Sequence, residues 1–151
     1  MRRAALALTV LLLAVVAAGC GGDDELGSGD LMWEEKPRVF TNPNLPDDRI
    51  LAGTVRNDSL ETVTLVARDL DVRAPGGDDM ESAAIFAQTF VRGVFPQNRG
   101  SDIPETEQLR IGLRARLKPG ETAPLTVSWR QQGEHAALVD YGRGTLPVPG
   151  S

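Results

Sequence analysis

Apolar residues at every second position constrain this chain most. Between Leu109 and Leu117 they alternate with other residues over nine positions, which places them on one face of a β-strand. Residues 118–121, KPGE, contain the proline and glycine of a tight turn. The alternation resumes from Leu125 to Trp129. Residues 109–130 are therefore predicted to form a β-hairpin.

Similar short runs, separated by turn-forming clusters, predict further strands. Those with the clearest pattern are Lys36–Thr41, Arg49–Asn57, Glu61–Val72 and Ala136–Tyr141. Inside the third run the apolar phase shifts before Leu70, which indicates a β-bulge. Residues 83–91, AAIFAQTFV, fit either a strand or two turns of helix, and their Thr, Phe and Val content favours a strand.

This number of short strands, without a convincing amphipathic helix, indicates an all-β sandwich. The run Ile50–Val72, ILAGTVRNDSLETVTLVARDLDV, resembles the second and third strands of immunoglobulin-like domains in bacterial surface lipoproteins. The run Arg114–Trp129, RARLKPGETAPLTVSW, resembles their late hairpin. The resemblance implies an immunoglobulin-like β-sandwich of about seven antiparallel strands. We assign residues 31–148 to this domain and 149–151 to a tail.

The N-terminal residues have the layout of a secretory signal. Arg2 and Arg3 precede an uncharged, largely apolar run of fifteen residues, Ala4–Ala18. A spanning helix needs roughly 20 apolar residues, so the run is too short to cross a bilayer. A positive start, a short apolar run and small residues at its end are typical of a signal peptide.

Residues 17–20, Ala-Ala-Gly-Cys, resemble the lipobox of bacterial lipoproteins. The resemblance implies that residues 1–19 are cleaved off and that Cys20 carries the lipid. Cys20 is the only cysteine, so the lipidated chain would have no thiol for a disulfide or a metal site. Residues 20–30 then form the lipidated cysteine and a flexible acidic linker. The expected location is the bacterial cell membrane, on the extracytoplasmic side.

Charge restricts the partners of the mature chain. The whole chain has a net charge of −5, and loss of Arg2 and Arg3 with the signal lowers it to −7. This balance argues against nucleic acid as a partner. We expect the lipid to hold the chain on the membrane and an unidentified envelope protein or ligand to be its partner.

The long polar connection of residues 95–107 is the best candidate for a binding surface. Loops of this length in compact domains are often functional, although a crossover loop on the sandwich edge would look the same. The residues suited to protein contact are Gln97, Asn98, Arg99, Asp102 and Ile103.

Acidic loops suggest a second kind of site. In an immunoglobulin-like strand order several of them lie at one end, where converging carboxylates would suit Ca²⁺. The candidate ligands are Asp47, Asp48, Asp78 and Asp79. The alternative is that these acids keep an extracytoplasmic domain in solution, and on that reading the chain has no cofactor.

Nothing in the sequence favours catalysis. His135 is the only histidine, and no G-x-S-x-G elbow surrounds any serine. We therefore expect a non-catalytic binding or protein-interaction module on a membrane anchor. A protein that binds calcium or a small solute is the second alternative, and an envelope hydrolase is the third.

Lipidation can be tested directly. Cells that express the wild-type chain in the presence of radiolabelled palmitate should label it, and Cys20→Ala should remain unlabelled, because the thiol is the acylated group. Equal labelling of the two chains would contradict the lipobox assignment.

Overall fold

A computed structural model describes residues 26–88 and 102–150 of the chain. The strands in these ranges are β1 (Leu31–Trp33), β2 (Arg38–Asn42), β3 (Leu45–Asn57), β4 (Val63–Val66), β5 (Asp71–Arg73), β6 (Asp79–Met80), β7 (Ser82–Ile85), β8 (Arg114–Leu117), β9 (Thr122–Arg130), β10 (Leu138–Asp140) and β11 (Thr145–Pro147). A 3-10 helix covers Ala67–Asp69, and the α-helix α1 covers Glu105–Arg110.

The strands form three antiparallel sheets. In the five-stranded sheet, β3 pairs with both β1 and β2 on one side and with β9 on the other, and β7 follows β9. The four-stranded sheet has the order β11-β10-β5-β6, and β4 pairs with β8 in the third sheet. The predicted all-β class and antiparallel sandwich architecture are confirmed.

One hydrophobic core joins the sheets. Leu51 and Val55 of β3 and Leu125 and Val127 of β9 are fully buried, as the period of two predicted. Buried aliphatic residues of the other two sheets belong to the same cluster: Val63, Leu65, Leu117, Val72, Val139 and Leu146. The buried faces of the three sheets therefore shield one another's apolar side chains from water.

The predicted hairpin of residues 109–130 is wrong. Leu109 lies in α1, and β8 begins only at Arg114. β8 pairs with β4, whereas β9 pairs with β3 and β7, so the turn at 118–121 connects two different sheets. Alternation specifies which face of a strand is buried, and both strands do bury that face in the common core. The period of two is the same whether neighbouring strands pair with each other or face each other across a core.

The predicted single strand Glu61–Val72 is also corrected. β4 and β5 are separate strands, with the 3-10 helix Ala67–Asp69 between them. β4 pairs with β8 and β5 pairs with β10, so the chain changes sheets where the apolar phase shifts. The phase shift thus marks this change of sheet and not a bulge.

The remaining strand predictions are confirmed in part. β7 confirms the strand preference for residues 83–91 as far as Ile85, and residues 89–91 lie outside the described ranges. β1 and β11, with three residues each, were not predicted. In β1, Trp33 is fully buried, and a Cβ at Gly53 would lie 3.0 Å from its ring. The glycine inside β3 therefore makes room for the indole.

Asn57 ends β3 with a buried network of hydrogen bonds. Its side chain is fully buried. Nδ2 donates to the carbonyl oxygens of Glu61 at 2.7 Å and Leu117 at 2.9 Å. Oδ1 accepts from the backbone N–H of Ser59 at 3.0 Å and from its hydroxyl at 2.8 Å. The Asn57 network thus also fixes the end of β8.

Asn57→Ala should lower the free energy of unfolding by about 3 kcal/mol, because it leaves several buried polar groups without partners. Asn42→Ala is a matched control, since the Asn42 side chain accepts one bond, from the N–H of Asn44. We expect the control to cost about 1 kcal/mol. Urea unfolding of both variants measures the difference, and equal losses would show that the Asn57 network adds nothing.

Candidate functional site: the terminal junction

The segment that leads from the predicted anchor is part of the sandwich. Cys20 lies outside the described residues, which begin at Leu26. Leu26 packs against the core, and its carbonyl oxygen accepts a hydrogen bond from the N–H of Trp33 at 2.7 Å. Residues 26–30, the last part of the predicted linker, thus make hydrogen bonds and an ion pair with the domain. We call Leu26–Trp33 and Tyr141–Val148 together the terminal junction.

Tyr141 connects the two halves of the terminal junction. Its side chain is buried. The hydroxyl accepts a hydrogen bond from the N–H of Leu31 at 3.0 Å and donates one to the carbonyl oxygen of Ser28 at 2.7 Å. One phenol thus satisfies two backbone groups of the N-terminal segment. Tyr141 ends the predicted strand Ala136–Tyr141, and its connecting role was missed.

Backbone contacts reinforce this connection. Ser28 and Thr145 exchange two backbone hydrogen bonds, at 2.8 and 3.1 Å. Trp33 Nε1 donates to the carbonyl oxygen of Pro147 at 2.9 Å. A Cβ at Gly144 would overlap the carbonyl oxygen of Ser28. The close approach of the two segments therefore requires glycine at this position.

Ion pairing adds to the terminal junction at its surface. Arg143 Nε lies 2.6 Å from a carboxylate oxygen of Asp30. The Asp30 carbonyl oxygen accepts a hydrogen bond from the N–H of Asp58 at 2.9 Å. The terminal junction is thus linked to the turn that follows Asn57. Clustered glycines near both ends of the sequence were the available signal for such close packing.

The predicted binding loop is described only in its last part. Gln97, Asn98 and Arg99 lie outside the described residues. Asp102 is exposed, whereas Ile103 is half-buried and packs against the core. The end of the predicted loop lies in α1, which begins at Glu105.

The predicted calcium ligands do not come together as a group. Asp48 lies 3.7 Å from Arg130, and Asp79 lies 3.3 Å from Arg73. The other two, Asp47 and Asp78, accept backbone hydrogen bonds through their carbonyl oxygens, from Gln131 and Ala74. Within 26–88 and 102–150, no three His, Cys, Asp or Glu side chains form a group that could hold a metal ion.

Arg130 contacts two acidic side chains, Asp48 and Glu81, that are far apart in the sequence. It lies 3.2 Å from Glu81 in addition to its contact with Asp48. His135 is exposed in the loop after β9, with its Nδ1 2.9 Å from Gln131 Nε2. Asp48 and Glu81 thus pair with one arginine, and the histidine contacts an amide.

In comparisons with known proteins, no family model matches the chain, and no curated protein or solved structure matches it either. In the part of the chain that the structure describes, no helix has the length and apolar character needed to cross a membrane.

Burial raises the pKa of Tyr141 above its ordinary value of 10.0, although the hydrogen bond from the Leu31 N–H opposes the shift. A raised pKa in the folded chain means that this group contributes stability below pH 10.0 that is lost as the pH rises further. Tyr141 is the only tyrosine, so phenolate absorbance reports it alone. We expect its titration midpoint to lie above 10.0 in the folded chain and to return to the ordinary value in urea. Identical midpoints would contradict a buried, hydrogen-bonded phenol.

Proposed function

We propose that this chain is an envelope lipoprotein whose β-sandwich acts as a non-catalytic binding or protein-interaction module. The signal layout and the lipobox resemblance support the anchor. The observation that carries the proposal is the Tyr141 hydroxyl, which bonds the segment leading from Cys20 into the domain. An anchored domain of this kind presents its faces to envelope partners while it stays on the membrane.

The distance to the membrane follows from the same observation. Cys20 and Leu26 are six residues apart in the sequence. A fully extended chain of that length spans about 20 Å. The proposed anchor would therefore hold the domain close to the lipid surface, on the side where the signal peptide delivers it.

We propose in addition that the sandwich is immunoglobulin-like. The letters A to G can be given, in chain order, to β1, β3, β5, β7, β9, β10 and β11. The sheet order β1-β3-β9-β7 then reads A-B-E-D, as in such domains. The order β11-β10-β5 corresponds to strands G-F-C. In this interpretation, β4 and β8 form an added two-stranded sheet and β6 extends the second layer. Both strand orders support the classification, which specifies a fold and not a ligand.

A photo-crosslinking scan in intact cells tests the proposed function. The crosslinking residue is placed at exposed positions on different surfaces: Phe40, Leu60, Thr64 and Glu134. A binding module should give a discrete adduct from one surface and none from the others, because a specific interface covers only part of a small domain. Adducts at none of the positions, or at all of them equally, would contradict the proposal.

A further inference from the structure

The outward face of the β4–β8 sheet presents two neighbouring arginines. Ala115 and Leu117 of β8 are buried in the core, so the alternate residues, Arg114 and Arg116, are directed to the outer face. On β4, Thr64 lies opposite Arg116. The chain has an excess of acidic residues, with a net charge of −5. Two like charges at neighbouring positions of one face repel each other unless an anion lies between them.

One carboxylate serves both arginines. Glu105 of α1 lies 2.6 Å from Arg116 Nη2 and 4.0 Å from Arg114 Nη1. Within residues 26–88 and 102–150, Arg114 Nε is buried and has no hydrogen-bond acceptor. The 4.0 Å separation from Nη1 is too long for a hydrogen bond, so Glu105 does not hydrogen-bond the Arg114 guanidinium. A guanidinium can bind a carboxylate through two parallel N–H donors, and this geometry is unused here.

The site is open to exchange. The side chains of Arg116 and Glu105 are 57% and 44% exposed, and that of Arg114 is 28% exposed. An exposed ion pair of this kind contributes about 0–1 kcal/mol. An external carboxylate that reaches both arginines would thus displace Glu105 at little cost.

We infer that Arg114 and Arg116 form a binding site for carboxylate side chains of an acidic peptide segment in a partner protein, and that Glu105 is an internal competitor for this site. The group that the arginines hold in the structure is itself the side chain of a glutamate in a peptide, which is why we specify this class of ligand. The inference identifies the partner class for the proposed binding module and rests on that proposed function.

Fluorescence anisotropy of a labelled oligoglutamate peptide, titrated with the full chain in a neutral detergent, tests the site. Arg114→Gln and Arg116→Gln should each weaken binding by about threefold to fivefold, because each removes one exposed ion pair with the peptide. Arg56→Gln is their matched control, since Arg56 lies on β3, away from β8, and pairs with Asp58. Thermal melting of every variant confirms that it is folded.

The role of Glu105 as a competitor is tested with a matched pair of variants. Glu105→Gln should strengthen peptide binding by about threefold, a free-energy change within the range of an exposed ion pair. Glu107→Gln changes the net charge equally and lies on the same helix, but Glu107 pairs with Arg110, so its binding should stay at the wild-type value.

Three results would overturn the inference. The first is equal peptide affinity of the wild-type chain, Arg114→Gln and Arg116→Gln. The second is equal strengthening of binding by Glu105→Gln and Glu107→Gln, and the third is displacement of the peptide by inorganic phosphate as effectively as by unlabelled peptide. A failed titration together with a discrete crosslink from another surface would reject this site and leave the proposed function intact. Failure of the crosslinking scan rejects the proposed function whatever the purified chain binds.

Discussion

The hydroxyl of Tyr141 is the interaction on which the ends of this structure depend. In a buried position it gives the N–H of Leu31 an acceptor, and it adds a second donor to the carbonyl oxygen of Ser28, which also accepts from the N–H of Thr145. An unpaired polar group in such a position costs about 1–3 kcal/mol. Because β1 has three residues, its own pairing with β3 is short. The phenol and the Ser28–Thr145 contacts together keep the segment in place.

Asn57 likewise holds separate backbone segments together, through hydrogen bonds of one buried side chain. It joins the end of β3 to the start of β4 and to the end of β8 through one side chain. The N–H of Asp58, the next residue, donates to Asp30, so this network and the terminal junction are continuous. The apolar core holds the faces of the sheets together, whereas these polar side chains define where the strands end. A substitution at Asn57 or at Tyr141 is therefore expected to affect both the Asn57 network and the terminal junction.

The sequence was sufficient to predict the class of fold and the buried faces of the long strands. The alternation in β3 and β9 indicated which residues face the core, because a strand exposes its two faces in turn. It could not indicate pairing partners. The hairpin prediction failed because β8 and β9 bury the same pattern in one core but belong to different sheets, and Leu109 continues that pattern while it lies in a helix. Three-residue strands such as β11 are too short to show a period.

The candidate sites were less predictable than the fold. Tyr141 ends a predicted strand, but its hydroxyl partners are more than a hundred positions away in the sequence. Glu105, Arg114 and Arg116 also come together only because α1 lies beside β8. Ion pairs between elements depend on tertiary packing, and local patterns do not encode that packing. The lipobox resemblance, in contrast, is visible in the sequence, because its residues are contiguous.

Amide hydrogen exchange at Leu31 tests the central claim most directly, namely that the segment next to the predicted anchor belongs to the folded domain. In the wild-type chain the Leu31 amide should be protected nearly as well as strand amides such as that of Val127, since it donates to the buried Tyr141 hydroxyl. Tyr141→Phe should accelerate exchange at Leu31 and leave Val127 protected. Exchange of the wild-type Leu31 amide at the rate of an exposed loop would contradict the account.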